Sequence, residues 1–101
     1  MKMLIITAVA AYQEEIVALL KKSKISAFSS TPILGHVNQE DPNLEDNWFG
    51  SEAQQNQSML YFALLAEDQI KGVFEAVEEI NKKAQSKSRI HLSVMGVEQT
   101  N

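Results

Sequence analysis

MKMLIITAV at residues 1–9 and MLYFALLA at residues 59–66 decide the fold. Both are apolar at nearly every position, and β-branched Ile5, Ile6 and Val9 suit a strand. Side chains alternate between the two faces of a strand. Leu4, Ile6 and Ala8 therefore point one way and Met3 and Ile5 the other; Met59, Tyr61, Ala63 and Leu65 likewise oppose Leu60, Phe62 and Leu64. A sheet with one wet face should alternate apolar and polar residues. These two strands do not, so both of their faces need cover.

The flanking segments supply part of that cover. After the first strand, at about residues 2–9, Glu14 and Glu15 sit where acids favour the positive end of a helix. Ile16, Leu19 and Leu20 follow at i, i+3, i+4, and Lys21, Lys22 and Lys24 gather at the far end, which predicts a helix over about 12–23. Residues 25–37 favour an extended chain, with Pro32 arguing for an edge or a bend. Residues 38–57 contain no Lys or Arg and no sustained period, and read as a long loop of the kind that is usually functional or disordered. Ile70, Val73, Phe74, Val77 and Ile80 form an apolar stripe on a second helix over about 67–84. A polar turn, 84–89, leads to a last strand in which Ile90, Leu92 and Val94 alternate with His91 and Ser93 and which ends at Gly96.

The resulting order is βαββαβ. Its compact solution is α+β and ferredoxin-like, a two-layer sandwich of a four-stranded antiparallel sheet with both helices on one face. Two helices cover one face only, and the chain has no further element for the other. The cheapest cover is another copy, since burying roughly 500 Å² of apolar surface per subunit supplies about 12 kcal/mol before the costs of association. A homo-oligomer is expected.

The totals bound the function. With 101 residues the chain is one domain, 1–101, and its 45% apolar and 22% charged content is ordinary for a globular protein. Net charge is −4 and the nine Lys and Arg form no stripe, which argues against a nucleic-acid partner. The absence of cysteine removes disulfides, thiolate nucleophiles and Cys-based metal sites, and suits a reducing, cytoplasmic location. Lys2 and the apolar run to Ala11, with Ala8-Val9-Ala10, imitate a short secretory signal, but a single Lys is a thin basic region and the run suits a strand better. No apolar run approaches the ~20 residues of a membrane span, so direct membrane insertion is not expected.

MKMLIITAV, QEEIVALLKK (13–22), ISAFSSTPILGH (25–36), the inserted loop, LYFALLAEDQIKGVFEAVEEI (60–80) and IHLSVMGVEQ (90–99) occur in the order and spacing of the PII-like proteins. The chain resembles that group, relatives of the nitrogen-regulatory PII signalling proteins, over nearly its whole length. It is also similar in build to the CutA group. The resemblance implies a ferredoxin-like homotrimer with a central apolar core, a T-loop at about 38–57, and small effectors such as an adenine nucleotide in the clefts between subunits. It also implies a regulated partner such as a membrane transporter.

Carried over residue by residue, the resemblance gives an effector-binding set of Gly35, His36, Gln39, Lys87 and Arg89. Gly35 matches the first glycine of the family's GxG element at the T-loop base, while Val37 stands in place of the second. Gln39 falls where the family has a glutamine that helps hold a nucleotide-bound magnesium and an oxo-acid. KKAQSKSR at 82–89 replaces the family's TGxxGDGK loop, which removes the glycines of the N–H phosphate cradle but leaves Lys82, Lys83, Lys87 and Arg89 nearby. No counterpart of the modified T-loop tyrosine is evident.

A second function class competes. His36 with Glu40 and Asp41 offers imidazole and carboxylates suited to a divalent ion such as Zn²⁺, and copies around an axis would multiply the ligands. Against this, one His and flexible carboxylates match no fixed ligand spacing. Heavy-metal binding or metal tolerance is thus the alternative to a PII-like regulator. Trp48 and Phe49, alone in a polar loop, read as packing on their own or a neighbouring subunit, or as an anchor for a partner. His91 and Met95 read as packing near a subunit contact before soft metal ligands, and Glu78 and Glu79 with Lys82 and Lys83 as surface ion pairs. Ser29-Ser30-Thr31 has no nucleophile motif, base or orienting acid, so enzymatic activity is not expected.

Overall fold

The computed structural model describes residues 1–36, 55–84 and 88–101. The apolar runs become the two central strands: β1, Lys2–Val9, pairs antiparallel with β3, Gln55–Leu65, setting Leu4 against Ala63 and Ile6 against Tyr61. β4, His91–Gly96, pairs with the free side of β1, and β2, Ser29–His36, with the free side of β3. The sheet order is β2-β3-β1-β4, antiparallel throughout. Two helices complete the βαββαβ order: α1, Gln13–Lys22, after a 3₁₀ turn at Ala10–Tyr12, and α2, Glu67–Lys83. This is the ferredoxin-like α+β sandwich that the sequence predicts.

Register sorts every strand residue to a face. Leu4, Ile6, Ala8, Tyr61, Ala63 and Leu65 share one face and are buried, together with Ile16, Leu19 and Leu20 of α1 and Val73 and Val77 of α2. The opposite face carries Met3, Ile5, Leu60, Phe62, Leu64 and Met95 in neighbouring rows. There Phe62 is 42% and Leu64 45% exposed on β3, whose helix-side residues Tyr61, Ala63 and Leu65 are buried, and Met95 on β4 is 45% exposed. The sheet is therefore apolar on both faces and its helices cover one.

Several boundaries differ from the expected ones. β3 begins at Gln55, so residues 55–57, expected in the loop, lengthen the hairpin with β2; polar residues on an edge pair gave no periodic signal. β2 begins at Ser29 because residues 23–28 first complete the end of α1. There Lys24 N–H bonds the Lys21 carbonyl and Ile25 N–H the Leu20 carbonyl, both at 3.1 Å, with Lys24 left-handed at φ 64°. That pattern is a Schellman motif, and buried Leu20 and Ile25 make its apolar contact. Phe74 is 38% exposed instead of lying in the α2 stripe, since one residue beyond Val73 turns it about 100° to the flank. Pro32 lies on edge strand β2, as its missing donor requires.

Candidate functional site

Strand direction gathers the candidate residues at one end of the sheet. β2 ends at His36, β1 ends at Val9 and β4 starts at His91, and the pairings His36 with Gln55 and Thr7 with His91 place all three termini at the same end. The 3₁₀ turn, the start of α1 and the end of α2 return there too, because each helix runs the length of the sheet between strands. Gly35 is buried opposite Asn56, and His36 is exposed at the last rung of β2. Arg89 is exposed just before β4. Gln39, Glu40, Asp41 and Lys87 lie outside the described residues, as do Trp48 and Phe49.

Gly35 and His36 share an end with Arg89 but not an edge. β3 and β1 lie between β2 and β4, which separates the two edges by roughly 14 Å at ordinary strand spacing. Within one subunit these residues line opposite sides of the sheet end.

The segment carrying Arg89 is tied on both sides. The Tyr12 hydroxyl, from the 3₁₀ turn, donates to the Ser88 carbonyl at 3.1 Å. Asn81, in the last turn of α2, donates from Nδ2 to the Ile90 carbonyl at 3.0 Å and accepts from the Ile90 N–H through Oδ1 at 2.8 Å. Ile90 itself is buried in the core. Neither Tyr12 nor Asn81 stands out in the sequence, because each acts on a backbone atom that only the fold brings near.

Short polar side chains also mark this end. Thr7 and Ser58 lie on the sheet face away from the helices, both buried, and neither hydroxyl has a hydrogen-bond partner among the described residues. The sequence offered only two small polar residues inside apolar strands as a signal. At the opposite end of the molecule a hollow lies between α1 and α2, lined by Leu19, Lys22, Lys24, Gln69, Gly72 and Glu79 among others. It shares no residue with the sequence-derived set.

Arg89 offers a fixed positive charge and a planar fork of donors. Lys82 adds a second exposed cation, whereas Lys83 is engaged with Glu79 at 3.1 Å. That contact holds the Glu79 carboxyl below the usual carboxylate range, first through the hydrogen bond from Lys83 and then through its charge. Among the described residues no three of His, Asp and Glu come together as a metal site. Among them, too, no helix is long and apolar enough to cross a membrane.

No protein-family model and no curated protein matches the sequence. Solved structures do match in fold. The chain is similar to a DUF3240 family protein from Shewanella baltica OS155, with 16% identity, a TM-score of 0.69 and coverage of 99% of this chain and 92% of that one. It is also similar to CPII from Thiomonas intermedia K12 bound to ADP, AMP and acetate, with 12% identity, a TM-score of 0.67 and coverage of 97% and 88%. CPII, a nitrogen regulatory PII-like protein, bound to ADP, AMP and bicarbonate matches with 12% identity, a TM-score of 0.64 and coverage of 99% and 94%. The chain has the PII-like fold.

Proposed function

We propose that the protein is a PII-like regulator, a homotrimer that binds a small effector at its intersubunit clefts and modulates a partner protein without chemically transforming the effector. The observation that carries this is the uncovered apolar face of the sheet, with candidate binding residues at one of its ends. Covering that face with other copies brings the edges of neighbouring sheets together. Gly35 and His36 of one copy then approach the Arg89 edge of the next, which a single subunit keeps apart. An adenine nucleotide is the favoured effector. ADP and AMP occupy the similarly folded CPII, and a chain of net charge −4 concentrates Lys82, Lys83, Lys87 and Arg89 within residues 82–89. Through the 38–57 segment, effector binding would alter the fit to a target such as a transporter.

Titration calorimetry with ATP, ADP, AMP and cyclic nucleotides tests the effector. Saturable heat with at least one of them is expected, weakened by Arg89→Ala; no heat with any of them removes the nucleotide form of the proposal. Equilibrium dialysis with Zn²⁺, Cu²⁺ and Ni²⁺ addresses the metal alternative, which would require binding that His36→Ala abolishes.

A further inference from the structure

The two hydrogen-bonding side chains that hold the approach to β4 have a chemical consequence at the residue between them. Ser88 is gripped at its carbonyl by Tyr12, and Ile90 at both its N–H and its carbonyl by Asn81. Tyr12 reaches its partner across 76 positions of sequence and Asn81 across nine, so two different elements hold the residues on either side of one position. The middle residue is Arg89, exposed, with no ion pair among the described residues. The Asn81 pair satisfies the backbone of buried Ile90, and the Tyr12 bond adds a second tie on the other side of Arg89.

An arginine on a loose turn loses backbone as well as side-chain freedom when it captures a ligand, and that loss is subtracted from affinity. Fixing the backbone on both sides in advance removes the first part of the cost. The guanidinium fork matches the oxygens of a phosphate or carboxylate. We propose that Tyr12 and Asn81 are positioning residues that hold Arg89 as a preset arm for the oxyanion of the ligand. The inference rests on the effector-binding reading above and adds to it the two residues that prepare the site.

The test uses the full chain and three probes: ADP, pyrophosphate and acetate. Affinity is measured by calorimetry, and the Arg89 side-chain Nε resonance is followed by NMR. Arg89→Ala is expected to weaken the oxyanion probes about tenfold or more. Tyr12→Phe and Asn81→Ala should each weaken them roughly three- to tenfold. The decisive comparison is the Arg89→Ala background, where neither should weaken binding further, because the residue they prepare is gone. Equal losses with and without Arg89, or no loss in either single variant, overturn the inference and leave the effector reading standing. Tyr12→Phe removes one hydroxyl, and so serves even if Asn81→Ala does not fold. Should pyrophosphate shift the Arg89 resonance while no nucleotide binds, the inference holds and the nucleotide form of the effector reading falls. Failure of all three probes to bind overturns both.

Discussion

Tyr61 combines two demands that conflict. Its ring belongs to the core beside Ile6, and the residue is 1% exposed, yet its hydroxyl has no hydrogen-bond partner among the described residues. Burial raises its pKa above the ordinary value by disfavouring the phenolate. The folded state therefore holds the phenol proton where the unfolded chain has released it. Stability from this group is complete below about pH 10 and is lost as pH rises through the higher folded value. Urea denaturation against pH should show that alkaline loss, and Tyr61→Phe should move it upward. Asn81 is a second site where little substitution does much. Asn81→Ala leaves the buried N–H of Ile90 without its partner and is expected to cost about 1–3 kcal/mol in urea denaturation. At this scale the sequence was least legible. His36 and Arg89 could be named from their chemistry, but Tyr12 could not, because its partner Ser88 is far away in the chain and is a backbone atom.

The elements were more legible, and their errors fall where local patterning is weak. β1 and β3 announce themselves as apolar runs, α1 and α2 by spacing and by acids in the first turn and lysines in the last. The start of β3 at Gln55 did not, since Gln55-Asn56-Gln57 owe their strand to pairing with β2. The end of α1 was hidden for another reason. A left-handed residue at this position is usually Gly, and here it is Lys24. Gln69 reinforces the corner, accepting from the Ala66 N–H at 2.9 Å to cap α2 and donating to the Lys24 carbonyl at 3.0 Å. Lys24→Gly removes the steric penalty of the left-handed backbone and keeps the Schellman bonds. It is expected to stabilise the chain by about 1 kcal/mol, read as a rise in thermal or urea midpoint. Lower stability in that variant would mean that the Lys24 side chain contributes more than its backbone costs.

For the whole molecule, the deciding property is that the sheet is apolar on both sides while the helices occupy one. This much follows from residues 1–9 and 59–66, because register, once set, sends every second side chain to the face the helices do not reach. The identity of what covers that face was not written in any single residue, nor was the relation of Gly35 and His36 to Arg89, which depends on sheet order. A charge placed in the open face separates folding from assembly. Phe62→Lys should leave circular dichroism and helix-side packing intact while dissociating the oligomer, since Phe62 is 42% exposed in the isolated subunit and loses little on becoming polar there. If the proposed intersubunit cleft holds the effector, such a variant should also lose effector binding. The most direct measurement is the mass of the unmodified protein at micromolar concentration, by light scattering or sedimentation equilibrium. A particle of three times the 11.3 kDa chain is predicted, and a particle of 11.3 kDa would contradict the account.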